Sequence, residues 1–228
     1  MGTRILILAV VLAISSAAFA ACTSSGSPGT PGGPPPVTSS TAATDPGPEP
    51  TGVPTTWDIS NVSTSRTGIG STYTQITVTV TYDQSNAFSS LVPAGTSGNS
   101  NTQLGTLIYF NSDSNPATGL STNLGGCGPW AGIDFVVSAG ESITGGRLAD
   151  GNFPIVTVPG FVQVGEASVS GSGGTVSYGV PLSAIGGSSG QIAVLAENFS
   201  GSNETVTDCV PDSTTEIVTN QLREPSLR

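Results

Sequence analysis

Ile76-Thr77-Val78-Thr79-Val80-Thr81-Tyr82 decides the fold of this chain. Apolar and polar residues alternate with a period of two, so Ile, Val, Val and Tyr share one face and threonine takes the other. A half-buried antiparallel strand has this pattern. Working outward, similar short strands are predicted at 57–65, 104–111, 133–138, 163–170, 175–180 and 191–199. Turn-forming runs separate them: Asp83-Gln84-Ser85-Asn86, and the stretches 113–119, 171–174 and 186–190. No amphipathic helix longer than two turns is predicted. Seven or more short strands with glycine-rich turns give an all-β fold, an antiparallel β-sandwich of jelly-roll or immunoglobulin-like kind, spanning residues 57–228 as one domain.

Where the strand at 104–111 ends, oxygen-bearing side chains fall at every second position: Asn111, Asp113 and Asn115. Two readings stand. Ca²⁺ takes six to eight oxygens from such side chains and from loop carbonyls, and Asp134 is the further candidate ligand. Alternatively, the run is an Asx-rich turn whose side chains cap their own backbone. The glycine and glutamate spacing of an EF-hand loop is absent.

Three cysteines, Cys22, Cys127 and Cys209, punctuate the chain. An odd number in an exported protein leaves one over. If Cys22 carries lipid, Cys127 and Cys209 are free to pair as a disulfide; the alternative is two buried thiols. The segment 23–56 holds nine prolines between Pro28 and Pro54 and no core-forming pattern. It is expected to be a disordered or polyproline II stalk, reaching about 100 Å when extended at ~3.1 Å per residue. Before it, Arg4, the apolar run 5–14 and the small residues 15–21 have the anatomy of a signal peptide. Two cleavage readings compete. Phe19-Ala20-Ala21-Cys22 resembles a bacterial lipobox with lipidation at Cys22, and Ala18-Phe19-Ala20 fits an ordinary small-x-small site. The cysteine count and the stalk favour the first. The expectation is an exported protein tethered to the outer face of a bacterial membrane, touching lipid through its N-terminus alone.

Charge and composition then exclude whole classes of function. Formal net charge is −10, from 15 acidic and 5 basic residues, with neither lysine nor histidine. Nucleic-acid binding needs a cationic surface and is excluded, as is docking of the domain on anionic headgroups. Without histidine there is no Ser–His or Cys–His pair and no His-ligated zinc. Without lysine there is no Schiff base. Asp113 and Asp134 are the one carboxylate pair considered for glycosidase chemistry, and a small sandwich offers them little cleft. The protein is therefore expected not to be an enzyme.

Asn111-x-Asp113-x-Asn115-Pro116-x-Thr118-Gly119, followed by Gly132-Ile133-Asp134-Phe135, resembles a pattern of extracellular β-sandwich modules related to DOMON and family 9 carbohydrate-binding domains. Val180-Pro181-Leu182-Ser183 and Asp208-Cys209-Val210-Pro211-Asp212 are similar to closing strands of that family. The resemblance implies a non-catalytic sandwich that binds sugar or serves as an accessory module. Aspartate is usual where this chain has Asn111. Some members of the family bind haem. This chain has no histidine, and its one methionine, Met1, lies in the leader, so no haem is expected. Sugar binding needs exposed aromatic platforms, and the candidates are Trp130, Tyr73, Trp57 and Tyr82. Extracellular polysaccharide is the first expected ligand. The alternative is an envelope structural or assembly protein making protein contacts, with or without calcium stabilisation.

Overall fold

A computed structural model describes residues 40–44, 56–69, 72–96, 103–124, 127–138, 146–187, 190–200, 203–210 and 218–219. The leader, Cys22 and the rest of the stalk lie outside the described residues. The alternating segment is β3 (Thr72–Tyr82), flanked by β2 (Ile59–Ile69) and β10 (Thr175–Pro181) in antiparallel ladders. Ile76, Val78 and Val80 are buried, while Thr77, Thr79 and Thr81 stay partly exposed. Register aligns Val62, Val80 and Val176 across three strands on the inner face. On the outer face the same register makes rows. Ser63, Thr79, Ser177 and Ser170 form one; Asn61, Thr81, Thr175 and Ser172 the next; Ser65, Thr77, Gly179 and Ser168 a third.

The last residue of each row belongs to β9 (Gln163–Ser172), which carries the sheet around a corner. Its second half pairs with β10 and its first half with β8 (Phe153–Thr157). The β8–β9 ladder also carries a register shift at Ile155/Val156, and a bulge of this kind bends a strand. The path continues through β7 (Phe135–Val137), β4 (Gln103–Asn111), β11 (Gln191–Ser200) and β12 (Asn203–Val210). The short β13 (Val218–Thr219) also pairs with β11. One antiparallel sheet is thus folded over into two layers, almost closing as a barrel. Side chains join its two ends: Thr207 Oγ1 donates to Trp57 O at 3.1 Å, and the Asp208 carboxylate accepts from Ile59 N–H. The all-β expectation is met, with a sandwich-like but continuous sheet. Apart from strands, the described residues hold two 3-10 turns, Phe88–Ser90 and Leu182–Ile185.

Three strand expectations need correction. The stretch 133–138 is broken at Asp134, which separates β7 from β6 (Cys127–Ile133). Strands β6, β8, β13 and β5 (Leu120–Leu124), which pairs with β6 as a separate hairpin, were not anticipated, and of β12 only 208–210 fell within the closing strand that the family resemblance implied. Finally β1 (Ser40–Thr44) lies within the predicted stalk and pairs with residues 61–65 of β2. It is the stretch free of proline and glycine between Pro36 and Pro46, and edge pairing needs backbone groups rather than an apolar face.

Two cores result. The main one fills the space between the layers. The second lies on the opposite face of β4, β7, β8 and β11, where Leu107, Tyr109, Val136, Val156 and Leu195 are covered by Cys127, Trp130 and Ile133 of β6. β4 is consequently buried on both faces. A disulfide joins Cys127 to Cys209 of β12 across the second core, with Cα atoms 6.1 Å apart. The two buried phenols of the main core share one partner: Tyr178 Oη donates to Thr106 Oγ1 at 2.6 Å, and Tyr82 Oη lies 2.9 Å from the same oxygen. Burial pushes both phenols above the ordinary range.

Candidate functional site

Ladder register gathers several turns at one end of the sandwich. Phe110, Phe135 and Thr157 are neighbours across β4, β7 and β8, and Asn111 pairs with Gln191 of β11. The turn after β4, Asp134 before β7, the β8–β9 hairpin and the segment before β11 therefore share that end.

The turn after β4 spends its polar groups on itself. Asn111 is buried; its Oδ1 accepts from Asn115 N–H at 3.1 Å, and its Nδ2 donates to Ala131 O and Gln191 Oε1 at 3.2 and 3.3 Å. Asp113 accepts from Asn115 N–H at 2.8 Å and from Thr118 Oγ1 at 3.1 and 3.0 Å. Asn115 Oδ1 accepts from Ala117 N–H at 3.0 Å. Of the two readings of this segment, these contacts have the form of the self-capping Asx turn. Among the described residues no group of three or more His, Cys, Asp or Glu side chains is placed to hold a metal ion.

Asp134 pins this turn to the next one. Its Oδ2 accepts from Ser112 N–H and Ser112 Oγ at 2.9 and 2.8 Å. Its own N–H donates to Phe110 O at 2.8 Å, and its carbonyl accepts from Val158 N–H at 2.7 Å. Asp113 and Asp134 thus take different partners. Gly132 is required where the turn meets β6. Its φ is +78°, and a Cβ there would sit 2.3 Å from Asn115 O and 2.5 Å from Asn111 Nδ2.

The aromatic platforms expected from the sequence are not exposed. Trp57 (2% exposed) and Tyr82 belong to the main core. Trp130 (1% exposed) lies in the second core, its ring centre 5.8 Å from that of Tyr109, and its indole N–H finds no hydrogen-bond partner among the described residues. The disulfide from Cys127 to Cys209 ties the strand that carries Trp130 to β12. Tyr73 is half-buried and packs on the main core, with the Arg66 guanidinium carbon 5.7 Å from its ring centre.

The exposed aromatic at the loop end is Phe161, which the sequence reading passed over. It is 50% exposed, with Val162 at 61% and Val164 at 42% beside it. The β8–β9 hairpin holds it firmly. Thr157 O accepts from Phe161 N–H at 2.9 Å, Val162 O accepts from Thr157 N–H at 2.9 Å, and Thr157 Oγ1 accepts from Val162 N–H at 3.3 Å. Phe161 also has φ of +50°, a left-handed conformation that costs a residue with a Cβ roughly 1–2 kcal/mol. A strained backbone and an uncovered apolar side chain occur together here, which is the combination found at functional loops. Pro159-Gly160 ahead of an apolar run was the signal that could have found it.

Comparison with known proteins adds no identity: no protein-family model matches this chain, and neither a curated protein nor a solved structure matches it.

Proposed function

We propose that this protein is a non-catalytic binding module held outside a bacterial cell by a lipid on Cys22 and a proline-rich stalk, with extracellular polysaccharide as its ligand. The observation that carries the reading is Phe161. An aromatic ring fixed outward on a braced hairpin offers an apolar face to the C–H face of a sugar. Pairing of Cys127 with Cys209 leaves Cys22 as the unpaired cysteine of the three, which supports its use for lipid. The composition adds to this, since nucleophile–histidine and lysine chemistry are unavailable to the chain.

A second reading is an envelope assembly protein, and Val162 beside Phe161 favours it, because exposed apolar pairs also suit protein contacts. Affinity electrophoresis through gels containing neutral polysaccharides separates the two. Under the first reading the native protein is retarded and Phe161→Ala migrates as in a gel without polymer. Retardation that survives Phe161→Ala, or its absence on every polymer, counts against it. Incorporation of labelled fatty acid, abolished by Cys22→Ala, tests the tether.

A further inference from the structure

We infer that the ligand-binding surface extends beyond the hairpin along β9 and across the outer face of β10, β3 and β2, where it takes long chains of neutral polysaccharide. The inference rests on the polysaccharide reading above and names its class of ligand. Twelve outward positions of these strands stand in three rows of four, and ten carry a hydroxyl. The row Ser63, Thr79, Ser177, Ser170 is typical. Neighbouring strands lie about 4.8 Å apart, and outward residues repeat about every 6.7 Å along each strand. The result is a regular array of donors and acceptors. Parts of it are already ordered by mutual contact, with Thr79 Oγ1 and Ser177 Oγ 2.9 Å apart. The one glycine, Gly179, leaves no gap: a Cβ there would meet Ser168 Oγ at 2.5 Å and Gln75 Nε2 at 2.6 Å, so its neighbours' polar side chains already cover it.

Charge selects the partner. Exposed protein surfaces usually carry many charged side chains. This chain carries 15 acidic residues, yet none occupies the twelve positions. A face without charge, and with hydroxyls and threonine methyls, suits a partner that is itself neutral and hydroxylated. Between Ser168 and the hairpin tip, Val164 and Glu166 are exposed on β9, the strand that links the array to the hairpin carrying Phe161. Glu166 and the overall negative charge repel anionic glycans. Sheet twist favours a single flexible chain over a rigid crystalline plane. Many weak hydroxyl contacts accumulate only over a long ligand, so polymer should bind more tightly than short oligosaccharide.

The test compares a neutral mixed-linkage β-glucan, its tetrasaccharide, a galactomannan and the anionic polygalacturonate, by calorimetry and affinity electrophoresis. Three proteins are used: native, Thr79→Val/Ser177→Ala, and Ser170→Glu, the last an exposed change chosen to leave folding intact. All should melt alike. The expected result is neutral-polymer binding stronger than tetrasaccharide binding, no binding of polygalacturonate, and polymer affinity roughly tenfold lower in both variants, the loss of about two hydrogen bonds. Tetrasaccharide binding, seated on Phe161, should not change. Polymer affinity that ignores both variants, or equals that for tetrasaccharide, overturns the extended surface while leaving Phe161 as the site. Failure of the native protein to bind any neutral glycan overturns the polysaccharide reading itself.

Discussion

Trp130 and Phe161 occupy matching places in the sequence and opposite places in the fold. Each directly follows a dipeptide of glycine and proline, in opposite orders: Gly128-Pro129 before Trp130 and Pro159-Gly160 before Phe161. Trp130 is 1% exposed and Phe161 is 50% exposed. The difference lies in what surrounds each turn. The strand carrying Trp130 is clamped by Cys127–Cys209 over an apolar sheet face, so the indole seals the second core. The hairpin carrying Phe161 is braced by Thr157 and leaves the ring half exposed. An aromatic beside a turn becomes a platform when its hairpin projects, and becomes core when a cross-link folds it inward.

The largest expected effect comes from removing the clamp. Reduction, or Cys127→Ser with Cys209→Ser, should cost about 4–5 kcal/mol by chain entropy for a loop of this size, read from the denaturant midpoint; the cysteines are 82 residues apart. Trp130→Ala should cost about 3–5 kcal/mol as a core truncation. It should act through stability alone, so glycan affinity measured on the folded fraction stays at the native value. A Trp130→Ala protein that melts normally and has lost binding would reverse the comparison.

Alkali tests the burial of the core aromatics from another side. Desolvation raises the pKa of Tyr82, Tyr178 and Tyr109, with Glu197 adding to the effect at Tyr109. Above about pH 10 the unfolded chain's phenols lose protons that the folded chain keeps, so the folded state binds more protons and stability falls as pH rises. The denaturant midpoint should therefore be level below that range and drop beyond it, together with late appearance of phenolate absorbance. The smallest effect concerns the turn after β4. Asp113 and Asn111 are already committed to Thr118 and Asn115, so chelation with EDTA should leave the melting temperature unmoved. A drop on chelation, restored by calcium, would favour the cation reading of the same residues.

How much of this was legible follows from the same contrast. β3 and β10 bury one face and wet the other, so alternation announced them. β4 and β11 bury both faces and read as apolar runs. β6 (Cys-Gly-Pro-Trp-Ala-Gly-Ile) and β8 (Phe-Pro-Ile-Val-Thr) contain proline, which argues against a strand in sequence and is tolerated here in a hairpin and beside a bulge. β1 has no apolar pattern to read, since its place is an edge ladder. The turn from Asn111 to Gly119 was visible because its residues act locally. Phe161 was not, because exposure depends on what the rest of the chain leaves uncovered, and phenylalanine between Gly160 and Val162 looks like core.

Phe161→Gly tests the central claim most directly. Glycine adopts the left-handed φ without strain, so the substitution removes the ring while preserving the hairpin. The account predicts a stability equal to that of the native protein or greater by up to about 1 kcal/mol, read from the denaturant midpoint, together with loss of neutral-polysaccharide binding. Glycan binding retained at native strength in the folded Phe161→Gly protein would contradict it.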